Sequence, residues 1–369
     1  MTLLLTVILV ALVFEYINGF HDTANSIATV VSTKVLTPRQ AVLLAACTNL
    51  LGAMWGTAVA RTITSGLIDA NLVSLTSDIM ICALLGAIIW NLLTWWLGLP
   101  SSSSHALIGA LCGAALAASN NNWQVIIWSK PDPQHWYLGK GMVWKVIVPM
   151  VTSPIAGLIL GFIVMALLYL LLQNARPSRV NRFFGRAQMV SAGAMGFMHG
   201  TNDAQKTMGI IALTLLAATK AGQLEHLPGW LSFLHTPAPL PGKEMEIAVW
   251  IKVLCALTMA SGTAVGGWRI IKTLGHKMVK LHPINGFAAE ASSATVIMVA
   301  THLGIPVSTT HNISAAIMGV GAARRLNAIK WTVVERMVWA WILTIPVTAL
   351  LAYGMVLLLR GFSSSPPPV

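Results

Sequence analysis

Two short polar motifs interrupt long apolar stretches of this chain, and each motif contains an aspartate. The first reads Gly19-Phe20-His21-Asp22-Thr23-Ala24-Asn25-Ser26, and the second reads Gly200-Thr201-Asn202-Asp203-Ala204-Gln205-Lys206-Thr207. An ionisable group at the centre of a bilayer costs about 2.5–3.5 kcal/mol, so such residues are retained for binding or proton transfer. Because Asp22 and Asp203 take the same place in both motifs, we interpret them as one shared site, with structural hydrogen bonding as the alternative.

Two runs of hydroxyl residues, each following a proline, are the second recurrent feature. They comprise Ser101, Ser102, Ser103 and Ser104 after Pro100, and Ser308, Thr309 and Thr310 close behind Pro306. Such a sequence is typical of a helix start, where free backbone N–H groups and the positive end of the helix dipole attract anions. Capping needs only one hydroxyl per helix. The surplus therefore predicts a cradle for a tetrahedral oxyanion, with ordinary N-capping as the alternative.

Three further charged residues lie within apolar segments. Glu15 precedes Asp22 by two helical turns and could handle protons or hydrogen-bond a neighbouring helix. Glu290 lies near the start of its segment, and a coupling role and a structural role are both open. Lys206 takes the place that Asn25 has in the first motif, and an intramembrane lysine must pair with Asp203 or with the bound anion.

The presence of Lys206, at the place that Asn25 has in the first motif, affects which cation could bind beside Asp203. A sodium site requires oxygen ligands, which Asp22, Asn25 and Asp203 would supply if the protein is sodium-coupled. Lys206 has no acceptor atom, and its ammonium takes the electrostatic place of a cation beside Asp203. The sequence therefore favours H+ over Na+ as the coupling cation, and we expect no cofactor.

Membrane-spanning helices must position these residues, as the composition indicates. Of 369 residues, 56% are hydrophobic and 9% charged, and the mean hydropathy is +0.74. Soluble proteins carry about 25% charged residues, so this class is excluded. The net charge of +12 comes from basic residues in short loops, which indicates no nucleic-acid partner. Without an HExxH or GxSxG motif, or a positioned nucleophile and base, an enzyme is not expected. The predicted fold class is an all-α polytopic membrane protein.

Ten apolar segments follow from the roughly 20 residues that are needed to cross a bilayer. They are 2–33, 40–60, 78–98, 101–118, 146–173, 188–218, 247–267, 284–303, 306–323 and 331–360. The polar motifs predict helix breaks near 18–22 and 199–203. Discontinuous helices are tolerated at membrane depth where they line protein or a cavity.

The loops differ in their content of lysine and arginine. Alternate loops contain thirteen such residues on one side (34–39, 176–186, 269–280 and 324–330) and six on the other (61, 130–145 and 220–243). The richer side is expected to face the cytoplasm, which places both termini outside the plasma membrane. This topology requires 78–118 and 284–323 each to enter and leave on one side. Re-entrant hairpins and pairs of full spans both satisfy it.

The recurring motifs divide the chain into two membrane repeats. Gly56-Thr57-Ala58-Val59 returns as Gly262-Thr263-Ala264-Val265, with the same offset of 206 as the hydroxyl runs. We predict an N-terminal repeat over 1–173, a basic cytoplasmic connection over 174–187, a C-terminal repeat over 188–360 and a disordered tail over 361–369. The predicted orientations are opposite, and inverted-topology repeats are typical of secondary transporters. An anion channel is the alternative.

The two aspartate motifs and the two hydroxyl runs resemble those of the PiT family of inorganic phosphate transporters, most closely its bacterial branch. The resemblance covers nearly the whole chain. It implies cation-coupled symport of phosphate, free or complexed with a metal, by a homodimer in membrane lipid. It also implies cation and phosphate contacts for Asp22, Asn25, Asn202 and Asp203, and phosphate contacts for the hydroxyl runs.

The chain departs from the family pattern in both motifs. His21 and Lys206 stand where asparagine is common, in the second case among sodium-coupled members. A permease for sulfate or another oxyanion stays open as an alternative function on the same fold. A channel would not need matched carboxylates beside an anion site.

Overall fold

The computed structural model describes residues 2–65, 67–69, 72–73, 75–130, 139–225, 228–236 and 246–362. Within these ranges the regular elements are helices, and the extended backbone forms two isolated antiparallel bridges, Ile68 with Ile126 and Lys130 with Lys140. The all-α fold class is confirmed. The predicted disordered tail, apart from its first two residues, lies outside the described residues.

The described part of the N-terminal half contains six α-helices. They are α1 (Thr2–Ser32), α2 (Pro38–Ala53), α3 (Ala58–Ser65), α4 (Ser77–Leu97), α5 (Ser103–Ala118) and α6 (Val148–Leu172). A 3-10 turn (Trp123–Val125) follows α5, and a π-helical turn (Val143–Ile147) leads directly into α6.

The C-terminal half repeats this order. Its helices are α7 (Pro177–Lys220), α8 (Val249–Val265), α9 (Trp268–Lys272), α10 (Pro283–His302), α11 (Thr309–Arg324) and α12 (Trp331–Phe362). A π-helical turn (Thr273–Met278) extends α9, and 3-10 turns lie at Gly229–Leu234 and Leu326–Ala328. Most of the basic connection at 174–187 forms the first turns of α7.

Among the described residues, four helices are long and apolar enough to cross a membrane, and this confirms a polytopic membrane protein. They are α1, α4, α6 with its preceding turn, and α12. A fifth span forms if α8 and the helical stretch Trp268–Met278, which are bent by 58° relative to each other, are counted together. The basic residues predict a cytoplasmic loop over 269–280. Its buried side chains at Ile270, Leu274 and Met278 place most of it in the helical core instead.

Helices α1 and α7 pack against each other in opposite directions. Near the start of the contact Thr207 donates to the carboxylate of Glu15, and near its end the Thr33 hydroxyl donates to Gln188 Oε1 at 2.8 Å. Residues later in α1 therefore contact residues earlier in α7, so the two helices are antiparallel. This is the geometry of the predicted inverted repeats.

The helix breaks predicted near 18–22 and 199–203 are wrong, because α1 and α7 run through these positions without interruption. Neither motif contains a proline, so the backbone hydrogen bonds of the helix are kept. In the two motifs, the hydroxyls of Thr23 and Thr201 also donate to backbone carbonyl oxygens one turn earlier, at 2.6 and 2.8 Å. The discontinuities lie elsewhere, at 54–57, 98–102, 266–267 and 303–308.

Helices α2 and α8 are equivalent elements of the two repeats. Their structural alignment is shifted by one helical turn from the alignment that the Gly-Thr-Ala-Val match gives. A side chain at Gly52 would collide with the backbone of Phe197 in α7, and one at Gly262 would collide with the backbone of Tyr16 in α1. Gly52 is therefore the counterpart of Gly262. Gly56 lies instead in the break after α2, where its φ of +80° favours glycine.

Two pairs of glycines with four-residue spacing, a pattern that can also join helices of different protomers, are used inside the protomer. Gly109 and Gly113 of α5 let the backbone of α12 approach closely, and Gly157 and Gly161 of α6 do the same for α11. These pairs therefore give no support to a homodimer, which stays a prediction from the family resemblance.

Candidate functional site

A buried polar site lies where α1 and α7 pass each other and where α5 and α11 begin. Asp22 is 2% exposed and Asp203 is fully buried. Their carboxylates and the ring of His199 offer three ligand atoms that all lie within 4.8 Å of one another. The structure thus brings the two motif aspartates together, as the sequence predicted.

The first hydroxyl run meets the aspartates through two of its residues. The Ser103 hydroxyl lies 2.7 Å from Asp22 Oδ2 and 2.6 Å from Asn18 Oδ1, and it can donate to either oxygen. The Ser104 hydroxyl accepts a hydrogen bond from the Lys206 ammonium. Asn18 was not predicted as a site residue, although its position four residues before Asp22 places the two side chains on one face of α1.

The second hydroxyl run contacts both aspartates. Thr309 donates to Asp203 Oδ2 at 2.9 Å, and Thr310 donates to Asp22 Oδ1 at 3.3 Å. The amide of Asn25 donates to both threonine hydroxyls, at 3.1 and 2.9 Å. The contact between Thr310 and Asp22 joins the two repeats. The site is therefore shared between them.

The remaining hydroxyls have local roles. Ser102 and Ser308 each accept a hydrogen bond from the backbone N–H three residues later, at 3.2 and 3.1 Å, and so act as N-caps of α5 and α11. Ser101 donates to Thr94 Oγ1 at 2.8 Å, away from both carboxylates. Capping thus accounts for Ser102 and Ser308, and the hydroxyls that contact the two aspartate motifs are Ser103, Ser104, Thr309 and Thr310.

Lys206 is paired with Asp203, one of the two partners that the sequence predicted. Its ammonium forms an ion pair with Asp203 Oδ1 and also lies 3.3 Å from the carbonyl oxygen of Val307. The lysine is 2% exposed, so this pair lies away from solvent. A buried cation needs such a partner, since an isolated charge is strongly penalised in a low-dielectric interior.

Each aspartate also has a histidine neighbour that sequence reasoning missed. His21 Nδ1 lies 2.6 Å from Asp22 Oδ1, and its Nε2 lies 3.1 Å from Thr94 Oγ1. His199 Nε2 lies 3.0 Å from Asp203 Oδ2, one helical turn away. The i, i+4 spacing of His199 and Asp203 was the available signal for the second contact.

The residues named for a sodium site are partly arranged as oxygen ligands. Asn25 Oδ1 has no hydrogen-bond partner among the described residues, and the Asn25 amide nitrogen is joined to both carboxylates through the hydroxyls of Thr309 and Thr310. One oxygen of Asp203 is already taken by Lys206. Both oxygens of Asp22 are contacted as well, Oδ1 by His21 and Thr310 and Oδ2 by Ser103.

Asn202 and Glu15 lie beside the cluster. The amide of Asn202 donates to Thr301 Oγ1 at 2.9 Å and to a backbone carbonyl at the break between α10 and α11, so it holds this turn in place. Glu15 accepts a hydrogen bond from Thr207, the residue next to Lys206. No direct hydrogen bond joins either residue to Asp22 or Asp203 in the described part of the chain.

Glu290 belongs to a separate buried network nearer the C-terminal end of α1. Its carboxylate accepts hydrogen bonds from the hydroxyls of Thr29 and Ser191 and from Gln188 Nε2, the last at 3.1 Å. All three donors are neutral. The structure therefore separates Glu290 from the aspartate cluster.

Comparisons with known proteins agree with this arrangement. A model of the phosphate transporter family matches residues 18–352. A Bacillus subtilis protein named "probable low-affinity inorganic phosphate transporter" is 43% identical over 351 residues, which cover 95% of each chain. A Mycobacterium tuberculosis protein of the same name is 42% identical, over 98% of this chain and 79% of its own length.

A solved structure titled "The sodium-dependent phosphate transporter" has the same fold. It superposes with a TM-score of 0.78 at 23% identity, covering 98% of this chain and all of the other. The match of the family model over most of the chain, together with these relatives, shows that the chain belongs to the phosphate transporter family.

Proposed function

We propose that this protein carries inorganic phosphate across the plasma membrane by symport with protons. The observation that carries the proposal is the ion pair of Lys206 with Asp203, set among hydroxyls at the starts of α5 and α11. It places a fixed cation, several hydroxyl donors and two carboxylates in one buried site.

The hydroxyls suit a phosphate ligand. Ser103, Thr309 and Thr310 lie at the positive ends of two helix dipoles, and their hydrogens now point to carboxylates. A bound phosphate would accept these hydrogen bonds, while its own O–H group would donate to Asp22 or Asp203. Sulfate has no proton to donate near neutral pH and would meet repulsion from the carboxylates. Phosphate is therefore favoured over sulfate.

Lys206 favours proton coupling. Its ammonium lies on the Asp203 carboxylate, where sodium would otherwise bind, and it balances that charge without an ion from solution. The transported proton then enters on phosphate or on one of the other buried carboxylates, Asp22, Glu15 or Glu290. Coupling to sodium through Asp22 and Asn25 is the alternative that the experiment must separate.

The test is uptake of labelled phosphate into vesicles that contain the purified protein. We expect an imposed pH gradient to drive saturable uptake in sodium-free buffer, and an uncoupler to abolish it. Sulfate should compete weakly. Strict dependence on sodium would exclude the proton mechanism, and equal competition by sulfate would exclude phosphate selectivity. Uptake with and without Mg²⁺ distinguishes free phosphate from a metal complex.

A further inference from the structure

A groove on the membrane-spanning part of the protein lies apart from the aspartates. It runs between α6 and α10 and has a volume of about 470 Å³, within the range of small-molecule sites, about 300–1,000 Å³. Its walls include Val148, Ala156 and Leu160 of α6 and Val296 and Val299 of α10. The surface is largely apolar, which suits a hydrocarbon chain.

The length of the groove matches one leaflet of a bilayer. Its α6 wall extends from Val148 to Leu160, or about 18 Å at 1.5 Å per residue. Half of the hydrocarbon core of a bilayer is about 15 Å. Only 17% of the most apolar stretch of this span is buried inside the protein, so α6 is open to the surrounding membrane.

A lysine stands at one end of this groove. Lys145 lies in the turn before α6, is 9% exposed, and donates to the carbonyl oxygen of Leu303 at 3.0 Å. Leu303 is itself part of the groove wall. An ammonium has three donors, and this contact uses one of them. In the described part of the chain no carboxylate is paired with Lys145, although Lys140 adds a second positive charge nearby.

Tryptophans lie near the same end, where the backbone N–H of Val143 donates to the carbonyl oxygen of Trp128 at 2.9 Å. Trp144 lines the groove and donates from Nε1 to Ser129 Oγ at 3.0 Å, and Trp123 stacks on Trp128 with ring centroids 6.2 Å apart. Tryptophan and lysine are enriched at the level of the lipid headgroups. The lysine end of the groove therefore lies where a headgroup phosphate would be.

We propose that the groove binds an anionic phospholipid, with one acyl chain between α6 and α10 and the headgroup phosphate on Lys145. The phosphate would supply the anion that this largely buried ammonium lacks, with Lys140 favouring a net negative headgroup. The floor of the groove includes Val307, whose carbonyl accepts a hydrogen bond from Lys206. A lipid in the groove thus contacts the turn at Val307. This turn leads directly into α11, which carries Thr309 and Thr310.

Photo-crosslinking tests this proposal. The full-length protein is reconstituted in phosphatidylcholine vesicles with a trace of phosphatidylglycerol or phosphatidylcholine that carries a photoreactive acyl chain. We expect labelled peptides from the groove, including Thr152 and Ala156, and severalfold more labelling by phosphatidylglycerol. Lys145→Gln should remove this preference, and Lys145→Arg should keep it.

Matched variants and competitors control the experiment. Ala156→Trp should fill the groove and reduce labelling there, whereas Leu170→Trp, at an exposed position of α6 outside the groove, should not. Excess inorganic phosphate should not displace the lipid. The proposal is wrong if both lipids label equally, if the preference survives Lys145→Gln, or if inorganic phosphate competes. Absence of groove labelling, as when a second copy covers α6 and α10, also overturns it.

Discussion

The ammonium of Lys206 contacts the carboxylate of Asp203, three residues earlier in α7. At the matching place in α1, three residues after Asp22, stands Asn25, whose amide donates to Thr309 and Thr310 instead. The two repeats therefore supply similar carboxylates with unlike partners. Asp203 thus has a fixed ammonium as its partner, whereas Asp22 is contacted by His21, Ser103 and Thr310.

Replacing Lys206 by asparagine tests the role of this ion pair. Lys206→Asn leaves a buried carboxylate without its cation, a change that costs about 3–5 kcal/mol unless another cation binds. We expect uptake driven by a pH gradient to fall by at least about tenfold, equivalent to about 1.4 kcal/mol, and sodium to stimulate the variant. Lys220→Asn at the end of α7 is the control. Unchanged pH-driven uptake by Lys206→Asn would show that the pair is only structural.

Neighbouring serines at the start of α5 should have separable effects. Ser103→Ala removes a hydroxyl that faces Asp22, and loss of a hydrogen bond to a charged ligand costs about 1.5–3 kcal/mol, or about 10- to 150-fold in phosphate affinity. Ser102→Ala removes the N-cap, which should lower stability by about 0.5–2 kcal/mol and leave affinity unchanged. Phosphate binding and thermal unfolding of both variants measure this. Equal losses of affinity would contradict the assignment.

Glu290 offers a test of coupling away from the phosphate site. Glu290→Gln removes the titratable group but keeps the size of the side chain, which lies among neutral donors. If Glu290 carries a coupling proton, phosphate affinity stays the same while uptake driven by a pH gradient falls. Glu335→Gln, at an exposed position of α12, serves as the comparison. Full retention of pH-driven uptake would leave Glu290 with a structural role.

Gln205 should stabilise the break between α2 and α3. Its Oε1 accepts from the backbone N–H of Val59 at 2.8 Å, and its Nε2 donates to the carbonyl oxygens of Thr201 and Trp55, at 2.7 and 3.3 Å. Gln205→Ala leaves buried polar groups unsatisfied, at about 1–3 kcal/mol each. We expect a lower melting temperature for the purified protein. Gln173→Ala, at an exposed position, should not change it, and equal melting of both variants would reject this role.

The predicted orientation can be measured by cysteine labelling. Arg182→Cys should react with an impermeant reagent only from the cytoplasm, and Lys130→Cys only from outside, because the richer set of basic loops should face inward. Cys47 is exposed and must first be replaced by serine. The reverse pattern would invert the topology. Lys243→Cys, a further marker for the outside, lies outside the described residues.

Much of the site could be predicted from the sequence, because a polar group in an apolar segment is visible without any knowledge of its neighbours. Asp22, Asp203 and Lys206 stood out for this reason, and the structure brings them into one cluster or pair. The hydroxyl runs stood out because each follows a proline, and Ser102 and Ser308 do cap helices. Local rules of capping and burial were sufficient for these residues.

Tertiary packing decided which side chains meet. The packing of α5 against α1 makes Ser103 face Asp22, whereas Ser102 caps its own helix. The run of four serines does not distinguish these two residues. Thr310 bonds Asp22 across 288 positions of the chain, and sequence periodicity does not encode such a contact.

Packing also decided where the helices break. The polar motifs at 18–22 and 199–203 stay helical because their side chains find partners in neighbouring helices and their backbone hydrogen bonds are kept. The chain breaks instead at 54–57, where Gln205 binds the free N–H of Val59 at the start of α3. An interruption is stable where another helix satisfies the freed backbone groups, and those partners come together only in the folded protein.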